Sequence, residues 1–490
     1  MSMRERRETA VLLAILLLAL VLRVGNSWTA SLHLDDFHSL HHARAADLAE
    51  FFAVLRQDNH PPLFLLLLRG TRAVLGEHEF VLRLPALLSG VVTVFYVWRI
   101  GRRLPSLAAR ALAALFVACS SLNLELSADL RMYSLLTLAV AGWLDAALDV
   151  LEGERGALRV GFWTFVGLHT HYHFVHVLVV LVPAALGLAR FHPLGRGTRA
   201  LLVGLGAAAL LCLPWYAWGF PVQLGHGLAP GGASISPRIL AEGMVHMVFL
   251  NLRLGGEFGW LVFVGAAALF LCLTALAGQR LLLRERSAPG APAWVLLAAA
   301  GLLIPTWSAL VAALMPRAGF EWRYIAGAVV PLALLGARGA YQDGALALLR
   351  RAGGWCVGLA ACVLCVLNVI DPGREDNRSA VRAVLALARE GDGIVAADWQ
   401  PRLFPHSGAW NYYAPRLQLP GEARPVLVPY TDDFAFPPGT DLSGFRRVFF
   451  LGRSIPDGVA LLRSLRAEFV QVHEEQYGYS ICVLVFERPG

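Results

Sequence analysis

The chain contains no lysine. Its 42 basic residues are all arginine, so every fixed positive charge is a planar fork suited to bidentate contact and not a mobile ammonium. Charge of either sign is scarce, at 16% of 490 residues against 57% hydrophobic, and the mean hydropathy is +0.57. That balance excludes an ordinary water-soluble domain and suits a chain embedded in a bilayer. Cysteine is also sparse. Of the seven, Cys119, Cys212, Cys272, Cys356, Cys362 and Cys365 fall in apolar runs and Cys482 in a polar segment, which argues against a disulfide framework. Cys362 and Cys365 have CxxC spacing without partner ligands, and in an apolar run they read as small hydrophobes.

What is present is a succession of apolar runs. A spanning helix needs roughly 17 to 25 residues, and windows of that size give about eleven spans, up to thirteen, in a polytopic α-helical membrane protein. The windows lie near 9–24, 81–98, 106–122, 133–151, 157–170, 173–190, 198–216, 258–280, 293–315, 323–340 and 354–370. The apolar stretch 62–75 is short and carries Arg69 and Arg72, so it reads as an interfacial or re-entrant helix. The first run follows a basic start but lacks a small-residue cleavage site, and it reads as an uncleaved anchor.

The net charge of +7 and pI near 9.2 follow from topology and do not imply nucleic acid. With the N-terminus in the cytoplasm, the inner ends of the spans collect Arg4, Arg6, Arg7, Arg99, Arg102, Arg103, Arg155, Arg159, Arg190, Arg196, Arg199, Arg280, Arg284, Arg286, Arg338, Arg350 and Arg351. The short outer loops hold Arg131, Arg317 and Arg323. This positive-inside bias puts a polar first loop within 25–80, a second loop at 217–257 and the C-terminal segment on the outer face of a cytoplasmic (inner) membrane. Residues 1–371 then form the membrane domain. From 372 to 490 the apolar spacing switches from helical to strand-like, predicting a small outer α/β domain without a GxGxxG or P-loop.

Chemistry-bearing residues cluster at the outer mouth. Asp35 and Asp36 open a predicted helix, where an aspartate serves either as an N-cap or, near a substrate hydroxyl, as a general base. In His60-Pro61-Pro62 the prolines extend the backbone at His60 and start the next helix, whose free N–H groups suit an anion; the plain alternative is a rigid turn. Glu125, Asp129, Arg131 and Tyr133 lie between two spans, where ionisable groups are costly and either paired for structure or functional. Arg317, Arg323 and Tyr324 form another group on the same face, and a guanidinium fork fits a phosphate. Histidines crowd at His33, His38, His41 and His42 and again at His169, His171, His173 and His176; His169 and His173 have helical i, i+4 spacing, but no HExxH completes a zinc set.

The order of these elements resembles the GT-C glycosyltransferase superfamily, and within it bacterial relatives of protein O-mannosyltransferases and of the lipid A aminoarabinose transferase. The resemblance rests on the acidic pair after the first span, His60-Pro61-Pro62-Leu63, Arg83-Leu84-Pro85, Arg131-Met132-Tyr133 and Arg323-Tyr324. It runs from residue 1 to about 345 in motif order, with the trailing α/β domain also like that of many bacterial members. Asp36 stands where many relatives carry glutamate, and without lysine any family lysine role falls to arginine. The resemblance implies an inverting transferase that moves a sugar from a polyprenyl-phosphate donor to a glycan, lipid or protein acceptor at the outer face, amid membrane lipids. Asp35 would activate the acceptor, Arg131 and Arg323 would stabilise the departing phosphate, and His60 and Asp129 would orient donor or acceptor. Asp36, Tyr133 and Tyr324 would complete substrate binding. No cofactor is required by this reading, and a divalent metal ion is left open. The rival readings are a lipid-linked sugar flippase, which would place its coupling charges nearer the bilayer midplane, and a non-catalytic sugar-binding scaffold.

Overall fold

The computed structural model describes residues 2–154, 156–189, 196–225, 268–280, 290–314, 321–370, 375–397, 408–431, 433–453, 459–478 and 480–489. Arg155, Arg190, Arg284, Arg286, Arg317 and most of the 217–257 loop lie outside them. The chain divides into two compact units: Met1–Trp28 with Asp47–Asp371, and Thr29–Ala46 with Pro372–Gly490.

The first unit is helical. Among the described residues six helices are long and apolar enough to cross a membrane: Met3–Thr29, Leu84–Arg103, Tyr133–Leu151, Gly197–Trp218, Ala291–Leu314 and Ala347–Ile370. The protein is a multi-pass membrane protein. Helices of this unit are named in chain order, with α2 (Leu34–Ala43) of the second unit counted in sequence: α1 Met3–Thr29, α3 Leu48–Leu55, α4 Leu63–Leu75, α5 Glu79–Leu82, α6 Leu84–Ile100, α7 Leu107–Ala118, α8 Ser121–Leu126, α9 Tyr133–Leu151, α10 Ala157–Thr170, α11 Phe174–Ala189, α12 Arg196–Trp218 and α13 Phe220–Gly225. Four further helices, Ala268–Arg280, Ala291–Leu314, Val329–Ala340 and Ala347–Ile370, follow within the described residues.

Two expected spans are interrupted. The window 106–122 ends as α7 at Ala118, because the Ser120 hydroxyl accepts the backbone N–H of Asn123 at 3.4 Å and starts α8 as its N-cap. The window 323–340 opens with a 3-10 segment, Trp322–Ala328, before the helix Val329–Ala340. That segment runs tightly past α9, since a Cβ on Gly327 would fall 2.7 Å from Val140. The stretch 62–75 forms α4, 13 residues long and too short to span, with Phe64, Leu65 and Leu68 on its buried side.

All 19 residues of α9 are buried, so this helix is the axis of the unit. Around it small residues permit close packing: a Cβ on Gly161 of α10 would lie 2.9 Å from the Gly204 carbonyl of α12. At the C-terminal end of α9, Asp145 and Asp149 receive four arginines. Arg99 pairs with Asp145 at 3.0 Å, Arg102 and Arg103 with Asp149 at 2.7 and 2.9 Å, and Arg159 with Asp149 at 2.6 Å.

The second unit is α/β. Its strands are β1 Gly393–Ala397, β2 Val426–Leu427, β3 Arg447–Arg453, β4 Val470–Tyr477 and β5 Ile481–Glu487, in the order β2-β1-β3-β5-β4. β1 runs parallel to β2 and β3, while β5 is antiparallel to β3 and β4. The fully buried β1 and nearly all of β3 and β5 pack Val395, Phe450 and Phe486 against Leu461 and Leu465 of the helix Ala460–Glu468.

Residues 29–46 belong to the C-terminal unit because its side chains satisfy their backbone: the Tyr413 hydroxyl accepts the Leu32 N–H at 2.8 Å, and Asn377 Nδ2 donates to the Leu32 carbonyl at 2.9 Å. Tyr413 lies on the helix Ala409–Leu417, a piece the sequence pattern did not announce.

Candidate functional site

The site residues of the first unit are organised by two arginines that hold backbone. Between α8 and α9 the segment Ser127–Met132 carries Asp129 and Arg131, both buried. Arg83, fully buried, donates from Nε to the Ala128 carbonyl at 2.6 Å and from Nη1 to the Ser27 carbonyl at 2.8 Å. Arg23, also fully buried, donates from Nε to the Ser127 hydroxyl at 3.2 Å and from Nη1 to the Ala118 carbonyl at 3.1 Å. Carbonyls at helix ends have no intrahelical partner and carry partial negative charge, which offsets the cost of burying each guanidinium.

Into this frame comes His60, 6% exposed, just ahead of α4. Its Nε2 lies 3.1 Å from Arg131 Nη2 and its Nδ1 lies 3.2 Å from Asp58 Oδ2. A guanidinium only donates, so Nε2 accepts and Nδ1 carries the proton given to Asp58. Gln223 of α13 fixes the turn by donating to the carbonyls of His60 at 3.1 Å and Leu55 at 2.7 Å.

Opposite stands the 3-10 segment with Arg323 and Tyr324. Arg323 pairs with Glu321 at 2.8 Å, and its Cζ lies 4.9 Å from the centre of the Tyr133 ring. His171, in the turn after α10, has its ring 5.0 Å from Tyr324, 5.6 Å from Tyr133 and 5.8 Å from His60. Burial first, then His60, His173, Arg131 and Arg323, hold its pKa well below the ordinary histidine range. His60, Arg131, Tyr133, Arg323 and Tyr324 thus meet around His171, with Asp129 two residues before Arg131. Two guanidiniums set among aromatic rings suit an oxyanion carried by a bulky ligand.

Asp35 and Asp36 lie in the first turn of α2 in the second unit. There the N-cap is His33. Its Nδ1 accepts the Asp36 N–H at 3.2 Å while the Asp36 carboxylate accepts the His33 N–H at 3.1 Å, a reciprocal capping box. Asp36 is fully buried and Asp35 is partly exposed.

The family model of dolichyl-phosphate-mannose-protein mannosyltransferases matches residues 59–218, a stretch that includes His60, Asp129, Arg131, Tyr133 and His171. Two crystal structures of ArnT from Cupriavidus metallidurans share the architecture, each covering 97% of this chain and 98% of that one. The apo form matches with a TM-score of 0.56 at 14% identity, and the form bound to undecaprenyl phosphate with 0.54 at 13%. The chain has the GT-C fold. No curated protein matches its sequence.

On this GT-C frame the motif order included Arg131, Arg323 and the His60 that contacts Arg131, but not every residue that holds them. Asp58, His171, Arg23 and Arg83 all touch or hold the site, and only Arg83 belonged to a quoted motif. His169 and His173 do not form a ligand pair, because α10 ends at Thr170. His169 Nδ1 lies 3.3 Å from the Phe165 carbonyl, whereas His173 Nε2 lies 2.9 Å from the Ser308 hydroxyl. The carboxylates of Asp149, Glu152 and Glu154 come within sharing distance of one cation, but Arg102 and Arg103 already neutralise them.

Proposed function

We propose that this chain transfers a sugar, with inversion, from a polyprenyl-phosphate carrier to an acceptor hydroxyl or amine at the outer face of a bacterial cytoplasmic membrane. The observation that carries this reading is a connected cluster of two guanidiniums and aromatic rings: Arg323 lies over Tyr133, the Tyr133 and His60 rings both adjoin His171, and His60 contacts Arg131. The undecaprenyl phosphate bound to ArnT supports the donor class.

In the reaction the acceptor oxygen or nitrogen attacks the anomeric carbon while the bond from that carbon to the phosphate oxygen breaks. The bonding pair leaves on the phosphate, which the two guanidiniums stabilise, and the acceptor proton passes to the Asp35 carboxylate. Choosing Asp35 over Asp36 is supported by the capping box, which commits the Asp36 carboxylate to the His33 backbone. Tyr133 and Tyr324 supply walls for the sugar, and Asp129 orients Arg131 or the acceptor.

The test compares the masses of extracted lipids, glycans and envelope proteins with and without the gene. A shift of one hexose, pentose or amino-pentose on a single acceptor is expected. Unchanged masses together with altered movement of a lipid-linked sugar across the membrane would replace the transferase with a flippase.

A further inference from the structure

His171 ends α10 with an extended backbone, φ −157° and ψ 136°, and its ring is fixed from one side. Its Nδ1 accepts the backbone N–H of His173 at 3.0 Å. A backbone N–H only donates, so Nδ1 bears no proton and the neutral ring carries its hydrogen on Nε2. Among the described residues nothing accepts that hydrogen. The next histidine along differs: His173 Nε2 is occupied by Ser308, whose own hydroxyl donates to the Ile304 carbonyl at 2.8 Å.

The surroundings of His171 give the spare N–H a purpose. Its ring lies among Tyr133, Tyr324 and His60; His60 contacts Arg131, and Tyr133 lies under Arg323. A third cation here would repel the two guanidiniums, whereas an uncharged N–H adds a directed bond without repulsion. We propose that His171 is a fixed-tautomer hydrogen-bond donor whose Nε2–H binds an oxygen of the same phosphate that Arg131 and Arg323 contact. This rests on the transferase reading and adds a third, uncharged contact to it.

The test uses the full chain in nanodiscs with undecaprenyl phosphate as the probe and a thermal unfolding curve for each variant. His171→Phe keeps the aromatic volume and removes the N–H, and it should weaken binding about 10- to 100-fold, the range for losing a hydrogen bond to a charged group. His171→Gln restores a donor and should recover most of that loss, which a purely packing role would not. Should the Phe variant unfold, His171→Met makes the same comparison against Gln. Wild-type binding with equal affinity in the Phe or Met variant overturns the His171 assignment alone. Failure of the wild type to bind undecaprenyl phosphate overturns the donor reading and this assignment together.

Discussion

At the residue scale, adjacent aspartates have separate duties. Asp36 closes the capping box of α2, and an asparagine there keeps an acceptor for the His33 N–H, so Asp36→Asn should leave the fold intact and turnover reduced only modestly. Asp35→Asn removes the proposed proton acceptor and should lower single-turnover transfer about 10² to 10⁴-fold with donor binding unchanged. Equal transfer by Asp35→Asn and wild type would sink the base assignment. The arginines predict a different signature. Arg323→Lys keeps charge but loses the fork over Tyr133, so donor affinity or turnover should fall; intact binding and turnover in the Arg131→Ala, Arg323→Ala double variant would remove both from the phosphate. His171 gives a pH prediction. Its folded pKa is depressed, so below about 6.5 the unfolded chain takes up a proton that the folded chain refuses, and stability falls with acid. Facing His60, His173, Arg131 and Arg323, it makes part of that slope. The difference in unfolding temperature between pH 7.5 and 5.5 should therefore shrink in His171→Phe, and an unchanged slope would refute it.

At the element scale, the site depends on the Ser127–Met132 segment being held by Arg23 and Arg83. Arg83→Ala would leave the Ala128 and Ser27 carbonyls without their donor, a loss of about 1–3 kcal/mol for each group left buried and unpaired. Thermal unfolding should shift down, with faster amide exchange at 127–132; exchange unchanged there would show that the segment is held by something else. The apolar windows located most of the described helices of this unit. The breaks were not visible in hydropathy, because Ser120 ends α7 through one local cap and the 3-10 turn at Trp322 follows from contact with α9, made by residues far apart in the chain. The 3-10 segment keeps Arg323 out of regular α-helix, and Arg131 lies in the separate non-helical stretch between α8 and α9.

At the scale of the whole molecule, the division into two units assigns the acidic pair to the unit that contains the α/β sheet. Its attachment runs through Tyr413, whose hydroxyl accepts the Leu32 N–H two residues before the α2 N-terminus. Tyr413→Phe keeps the ring against Phe37 and removes that acceptor, so turnover should drop about 10- to 100-fold through misplacement of Asp35 while undecaprenyl phosphate binding holds. Equal loss of both would show a general unfolding instead.

Composition, the arginine-only charge and the apolar periodicity by themselves determined a multi-pass helical chain followed by an α/β segment. These are properties of short windows, set by the cost of polar backbone and charge in hydrocarbon. Only the tertiary structure decided which of the many histidines and arginines meet: His60 with Arg131 is a contact across 71 positions, and Leu32 with Tyr413 one across 381. No periodicity encodes such pairs, because each is selected by a buried polar group that must find a partner wherever the fold brings one.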